Sequence, residues 1–183
     1  MKKLEWEKLN TKYLINEKWA TLRVDSCRMP DGRLIPDYYV LEYPDWVNAV
    51  ALTEDGKFIL VKQYRHAAAG VFLELPGGCI EPGEDAETAC KRELLEETGY
   101  EFESFELLSS LYANPATANN RTYCYLATGG RLTSEQSLDS GEDIQVEIYS
   151  ADSVRKLLRE NKFGHALHVS GLFYAFQILD GRA

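Results

Sequence analysis

Short apolar blocks, punctuated by Gly, Pro, Asn and Asp, predict strands along most of this chain. Residues 19–29 (WATLRVDSCRM) alternate in part, with Leu22 and Val24 on one face. Pro30-Asp31-Gly32 reads as a turn and 34–43 as a returning strand, so 19–43 is expected to form a hairpin. Residues 47–53 and 58–63 predict two strands around the tight turn Glu54-Asp55-Gly56. Shorter strands are expected at 71–75, 105–112 and 121–127, and 143–149 alternates through Ile144, Val146 and Ile148.

The period changes at 85–98, which lacks Pro and internal Gly. Asp85 can cap the start of a helix there, and Gly99 suits the left-handed position just past its end. Ala86, Ala89, Cys90 and Leu94 fall at helical spacing as a narrow apolar stripe. Two more helices are predicted, a short charged one at 152–159 and one at 165–179 with Leu172, Phe173, Phe176 and Leu179 on its core face. Strands interspersed with helices indicate an α/β sandwich.

The same helix concentrates the candidate chemistry. Glu93, Glu96 and Glu97 stand at i, i+3 and i+4, so they share one face. Three like charges on one turn repel unless something neutralises them. Mg²⁺ or Mn²⁺, hard cations that prefer carboxylate oxygens, would do so. Arg92 could orient one carboxylate as a bidentate partner. Pro76-Gly77-Gly78 and Glu81-Pro82-Gly83 form a loop into the helix, where glycine lets backbone approach a metal or phosphate. Three glutamates alone would read as a solvated acidic face. The glycines, the arginine and their spacing reverse that reading.

Residues 78–100, GCIEPGEDAETACKRELLEETGY, match G-x5-E-x7-R-E-U-x-E-E-x-G-U at every position, U being bulky and apolar, with Tyr100 where an aliphatic residue is commoner. The segment resembles the Nudix box. The resemblance implies a Nudix-type α/β/α sandwich with a mixed sheet, and a hydrolase of nucleoside diphosphates linked to another moiety. It implies Mg²⁺ (or Mn²⁺) on Glu93, Glu97 and Glu96, with the Gly77 carbonyl as a backbone ligand. Arg92 would orient the carboxylates, and Gly78, Glu84 and Gly99 would support the loop and helix.

From Trp46 to Gly130 the chain looks like the branch of ADP-ribose pyrophosphatases and nucleoside diphosphate sugar hydrolases. Gln63-Tyr64-Arg65 followed by Glu74-Leu75-Pro76-Gly77-Gly78 resembles that branch's Q-x-R…E-L-P-x-G segment. Arg65 and Glu74 would then contact the substrate, Arg65 at a phosphate or the sugar; a plain surface arginine is the other reading of Arg65. Pro115 lies fifteen residues after Tyr100, the branch's marker offset, although it also suits a turn before the 121–127 strand. The surrounding Asn-rich loop, including Asn120, looks closer to hydrolases of sugar nucleotides such as GDP-mannose than to strict ADP-ribose enzymes. Trp46 either stacks on the base or packs in a core or interface. In the branch the general base comes from a loop before an E-D-I-x-V strand, which nominates Glu142 here, in a polar 132–142 segment expected to act as a movable lid. An ordinary loop glutamate is the competing reading. The resemblance also implies a homodimer built through an N-terminal β-hairpin subdomain at 1–45, ahead of a hydrolase domain at 46–183.

Composition narrows the partners. With 183 residues the chain suits one domain plus an embellishment. A net charge of −9 argues against broad nucleic-acid binding, which needs a basic face. No apolar run approaches the ~18 residues of a spanning helix, and MKKLEWEKLN lacks a signal peptide's apolar region. Cys27, Cys79, Cys90 and Cys124 show no CxxC spacing, so a reduced cytoplasmic protein with cysteines as small core residues is expected. His165 and His168 lack a third ligand with suitable spacing and read as structural. Three activities remain: a metal-dependent nucleotide-sugar diphosphatase, a house-cleaning pyrophosphohydrolase of nucleoside triphosphates, and a non-catalytic module that binds a nucleotide sugar.

Overall fold

A computed structural model describes residues 3–181, in two compact units: 3–44 with 112–120, and 45–111 with 121–181. The first unit holds strands β1 (Glu7–Glu17), β2 (Ala20–Arg28) and β3 (Leu34–Glu42), antiparallel in the order β1-β2-β3. The expected 19–43 hairpin is β2–β3. β1 has no counterpart in the sequence reading, because nearly all of its side chains are exposed and leave no alternation to detect. Asp25 is buried between β1 and β3. It accepts from the Thr11 hydroxyl at 2.7 Å and from Arg23 Nε at 3.1 Å, which meets the demand a buried charge makes for partners. The 112–120 segment lies along β3, with Leu41 N–H donating to Thr117 O at 2.7 Å.

The second unit contains β4 (Trp46–Thr53), β5 (Phe58–Arg65), β6 (Gly70–Glu74), α1 (Ala86–Thr98), β7 (Tyr100–Glu101), all but the last residue of β8 (Ser104–Tyr112), β9 (Arg121–Leu132), β10 (Ile144–Tyr149), α2 (Ala151–Arg159) and α3 (Ala166–Gly181). Its sheet runs β10-β5-β4-β9-β7, with β6 also on β5 and β8 also on β9. β4 and β9 are parallel, whereas β10–β5, β4–β5, β5–β6 and β7–β9 are antiparallel, so the sheet is mixed.

Alternation along β4 divides the core in two. Val47, Ala49 and Ala51 pack with Ala89, Cys90 and Leu94 of α1, while Val50 and Leu52 pack with Val154 of α2 and Leu172, Ala175 and Phe176 of α3. A strand covered on both faces reads as a nearly continuous apolar run, as VNAVAL does. The result is the expected α/β/α sandwich.

β5 positions the site by changing partner. It pairs with β4 only at Ala51↔Ile59 and Leu52↔Phe58, then with β6 from Val61 to Arg65. The start of β4 is therefore open to the glycine loop. Val47 N–H donates to Gly78 O at 2.9 Å, Ala49 N–H to Pro76 O at 3.0 Å, and Ile80 N–H to Asp45 O at 2.9 Å.

Several expectations change in detail. Phe173 is 58% exposed, and the inner face of α3 is His168, Gly171, Leu172, Ala175 and Phe176, since three residues per turn cannot all face one way. Ile148 is exposed, so the β10 alternation ends at Val146. Cys79 is exposed, whereas Cys27, Cys90 and Cys124 are buried as expected. Leu172→Ala should lower stability in chemical denaturation by about 2–5 kcal/mol. Phe173→Ala should change it by less than about 0.5 kcal/mol.

Candidate active site

Helix α1 begins and ends where its capping chemistry dictates. The Asp85 carboxylate accepts from Glu87 N–H and Thr88 N–H, both at 3.1 Å. Gly99, at φ +74°, closes the helix by donating to Leu95 O at 2.8 Å. Between them, Glu93 and Glu97 are buried and Glu96 is half-exposed.

Arg92 organises the acids. A guanidinium has five N–H donors, and each has an acceptor here. Nε and Nη2 form a fork on Glu84 at 3.1 and 3.0 Å, Nη1 reaches Glu93 at 2.9 Å and Glu96 at 3.0 Å, and Nη2 also reaches Cys79 O at 3.0 Å. Glu84 in turn accepts from Glu81 N–H at 3.1 Å, which ties the loop to the helix. Hydrogen bonding to Arg92 holds the Glu84 carboxyl below its usual range.

Glu97 accepts from Gly77 N–H at 2.8 Å. Gly77 is required there: its φ is +148°, and a Cβ would stand 2.2 Å from Val47 O. The Gly78 Cα lies against the Glu93 carboxylate, where a Cβ would be 2.5 Å away. Burial pushes Glu97 up to about 8, and the charges of Glu93 and Glu142 push the same way. Glu93 is raised too, by burial first, with Glu96 and Glu142 adding to it. Glu142 is thus within electrostatic reach of both buried acids. Its own carboxylate accepts from Asp139 N–H at 3.0 Å.

The Q-x-R spacing is strand spacing: Gln63 and Arg65 project from the same face of β5. Both donate to Glu74, Arg65 Nη2 at 2.7 Å and Gln63 Nε2 at 3.3 Å. Glu74 is almost fully buried and Arg65 half-exposed, so Glu74 holds the arginine while the guanidinium keeps an open side. Trp46 is half-buried at the start of β4, bridged through its backbone to Cys79. Partial desolvation and the Glu93 charge raise the Cys79 thiol, although its residue is exposed overall. Pro115 and Asn120 belong to the other unit. Pro115 lines an open cleft of about 350 Å³ with Arg23, Tyr38 and Val40, and Asn120 is buried with Nδ2 lacking a protein partner.

The expected 132–142 lid is shorter than foreseen. Leu132 ends β9, and 133–137 are tied to α1 and the residues around it. Thr133 N–H donates to Gly99 O at 2.9 Å, Ser137 N–H to Glu96 O at 2.9 Å, and Gln136 Nε2 to both Glu97 O and Ile144 O. Gln136 carries no pattern that a sequence reading could detect. Only 138–142, which ends at Glu142, lies outside these ties.

A family model described as the NUDIX domain matches residues 42–168, and one described as the nucleoside diphosphate sugar hydrolase N-terminal domain matches 6–41. This chain belongs to the Nudix family. Among its curated relatives are a methanol dehydrogenase activator of Bacillus methanolicus and an ADP-ribose pyrophosphatase of Bacillus subtilis, each 29% identical. The first alignment covers 88% of this chain and 87% of the relative, and the second 88% of each. A solved structure titled as an ADP compounds hydrolase superposes with a TM-score of 0.87 at 24% identity, over 100% of this chain and 99% of that one, and shows the same fold. The chain is a Nudix hydrolase by family. No helix among the described residues is long and apolar enough to cross a membrane.

Nudix hydrolases generally depend on a divalent metal, and the donor chemistry here suits one. Glu93 and Glu97 are buried oxygen donors, and burial raises both carboxyls. Among the described residues, no three His, Cys, Asp or Glu side chains converge on one point, and Arg92 bonds both Glu93 and Glu96. Glu97 and Glu93 are the residues best placed to hold the ion.

A carboxyl raised in the folded state keeps a proton that the unfolded chain has lost, so its contribution to stability declines as pH rises from its ordinary 4.5 to about 8. His165 and His168 are lowered from 6.5 by burial and act with the opposite sign below that pH. In chelator, stability measured by urea titration should therefore fall between pH 6.5 and 8. Adding a divalent cation should remove the fall, since the ion replaces the proton.

Proposed function

We propose that this Nudix hydrolase cleaves the diphosphate bond of a nucleoside diphosphate sugar, ADP-ribose or a sugar nucleotide such as GDP-mannose. The products would be a nucleoside monophosphate and a sugar phosphate. One observation carries the reading: two buried acids, Glu93 and Glu97, stand one turn apart on α1, Glu93 held by Arg92 and Glu97 by the Gly77 N–H of the glycine loop. The match of residues 6–41 to a nucleoside diphosphate sugar hydrolase N-terminal domain and the ADP-ribose pyrophosphatase relative support the substrate class.

Arg65, fastened from beneath by Glu74, contacts a phosphate or the sugar through its open side. Trp46 stacks on the base. Glu142 accepts the proton as water oxygen bonds to phosphorus and the bridging P–O bond breaks. A divalent cation bound at Glu93, Glu97 and Glu96, with the Gly77 carbonyl, would polarise the phosphoryl oxygens and acidify the water. Mg²⁺ is the expected ion, with Mn²⁺ able to replace it. Arg92 and Glu84 keep the acids and the Gly78 loop in place, and Gly99 ends the helix that carries them.

The first 45 residues would supply a homodimer interface and substrate contacts. Tyr13, Leu14, Ile15, Trp19 and Tyr39 of that unit are exposed, more apolar surface than isolated strands usually leave to water. Sedimentation should give twice the mass of one chain, and Ile15→Asp should shift it toward one. Four free cysteines suit a reducing, cytoplasmic setting.

A panel of ADP-ribose, GDP-mannose, other sugar nucleotides and nucleoside triphosphates tests the activity. Two phosphate monoesters are expected; release of pyrophosphate from triphosphates would favour a house-cleaning enzyme, and tight binding without turnover a non-catalytic module. Glu97→Gln should lower kcat at least roughly a thousandfold with little change in KM. Glu142→Gln should lower kcat by about a hundredfold or more.

A further inference from the structure

The residues between β6 and α1 are held from both faces of the sheet. Glu74, the last residue of β6, pairs with Val61 in the ladder and carries Arg65. Gly77, three residues later, carries Glu97. Between them Leu75 has left the β5–β6 register and is buried, so its N–H needs an acceptor within the protein. The acceptor is His168 Nδ1 on α3, at 3.1 Å, across a sequence separation of 93 residues.

Three features make that imidazole a dedicated acceptor. His168 is buried, and burial holds it well below its ordinary range, so it stays neutral. A neutral ring that accepts at Nδ1 carries its proton on Nε2, which settles the tautomer. His165 stacks on it, ring centroids 4.0 Å apart and 18° from parallel, so the ring's rotation is restricted. Gly171, one turn along α3, lets the helix close on this spot: a Cβ there would stand 2.6 Å from Cys124 Sγ and 3.2 Å from Leu75 Cδ1.

We infer that His168, backed by His165, is a positioning residue for the reaction proposed above: by accepting the Leu75 N–H it holds the glycine loop so that Gly77 meets Glu97 and the buried acids keep their spacing. His168 does not touch the reacting atoms. Arg65 is secured separately, because Glu74 lies within the ladder and Gln63 also donates to Glu74. Loss of the latch should therefore affect turnover more than substrate capture.

The inference rests on the proposed hydrolase reading, and one arm of its test is independent of activity. His168→Leu keeps the bulk and removes the acceptor. His168→Asn restores an acceptor, since Oδ1 is as many bonds from Cβ as Nδ1 is. In the isotopically labelled full chain, the Leu75 amide should exchange with solvent about tenfold faster or more in His168→Leu, with His168→Asn closer to wild type. Under saturating Mg²⁺, kcat on the sugar nucleotide found best in the panel should fall about tenfold in His168→Leu, KM should move less than about threefold, and His168→Asn should recover most of the loss. The inference is overturned if the Leu75 amide stays protected in His168→Leu, or if His168→Asn is impaired as severely as His168→Leu. If the wild type hydrolyses no sugar nucleotide, the functional reading fails, and amide exchange still decides whether the latch exists.

Discussion

Two carboxylates of like charge, Glu93 and Glu97, are buried one turn apart on the same helix, and much of the surrounding structure answers that constraint. Buried charges of one sign are tolerated only with cations, donors or protons close by. Arg92 supplies a cation to Glu93, and Gly77 supplies a backbone donor to Glu97. Even so, burial raises both carboxyls, and oxygen donors of this kind suit a hard cation. The helix that carries these acids uses much of its inner surface for them, and only Ala89, Cys90 and Leu94 remain as its buried apolar contact.

The sheet is arranged to bring a backbone donor to that point. β5 leaves β4 after two paired positions, and the glycine loop takes the vacated edge of β4. Gly77 can approach Val47 only without a side chain. On the opposite face α3 comes close through Gly171 and presents His168 to Leu75. The loop is therefore held by β4, α1 and α3 together, a rigid mounting for groups whose reaction depends on sub-ångström placement. The ties from Gln136 and Ser137 to α1 extend this rigidity toward Glu142, and the short 138–142 stretch lies beyond them.

How legible each element was depended on whether its signal was local. Helix α1 was readable to within a residue because Asp85 and Gly99 are themselves the signals that start and stop it. The strands of the mixed sheet were readable where burial imposed alternation or a continuous apolar run, as in β4. β1 was not, since its exposed side chains carry no period. Apolar character at helical spacing does not say how wide the buried stripe of α3 is, and Phe173 lies outside it.

By itself the sequence determined the family, the fold class, and the helix on which the acids sit. Those follow from spacing, and spacing on a helix or strand maps directly onto a face. Only the tertiary structure decided that the bidentate partner of Arg92 is Glu84, that Glu74 lies beneath Arg65, that Gln136 bonds Glu97 O and Ile144 O, and that His168 reaches Leu75. Each of these contacts joins residues from different elements or loops. No local rule of spacing describes them, because the packing of the sheet against its helices sets which side chains meet.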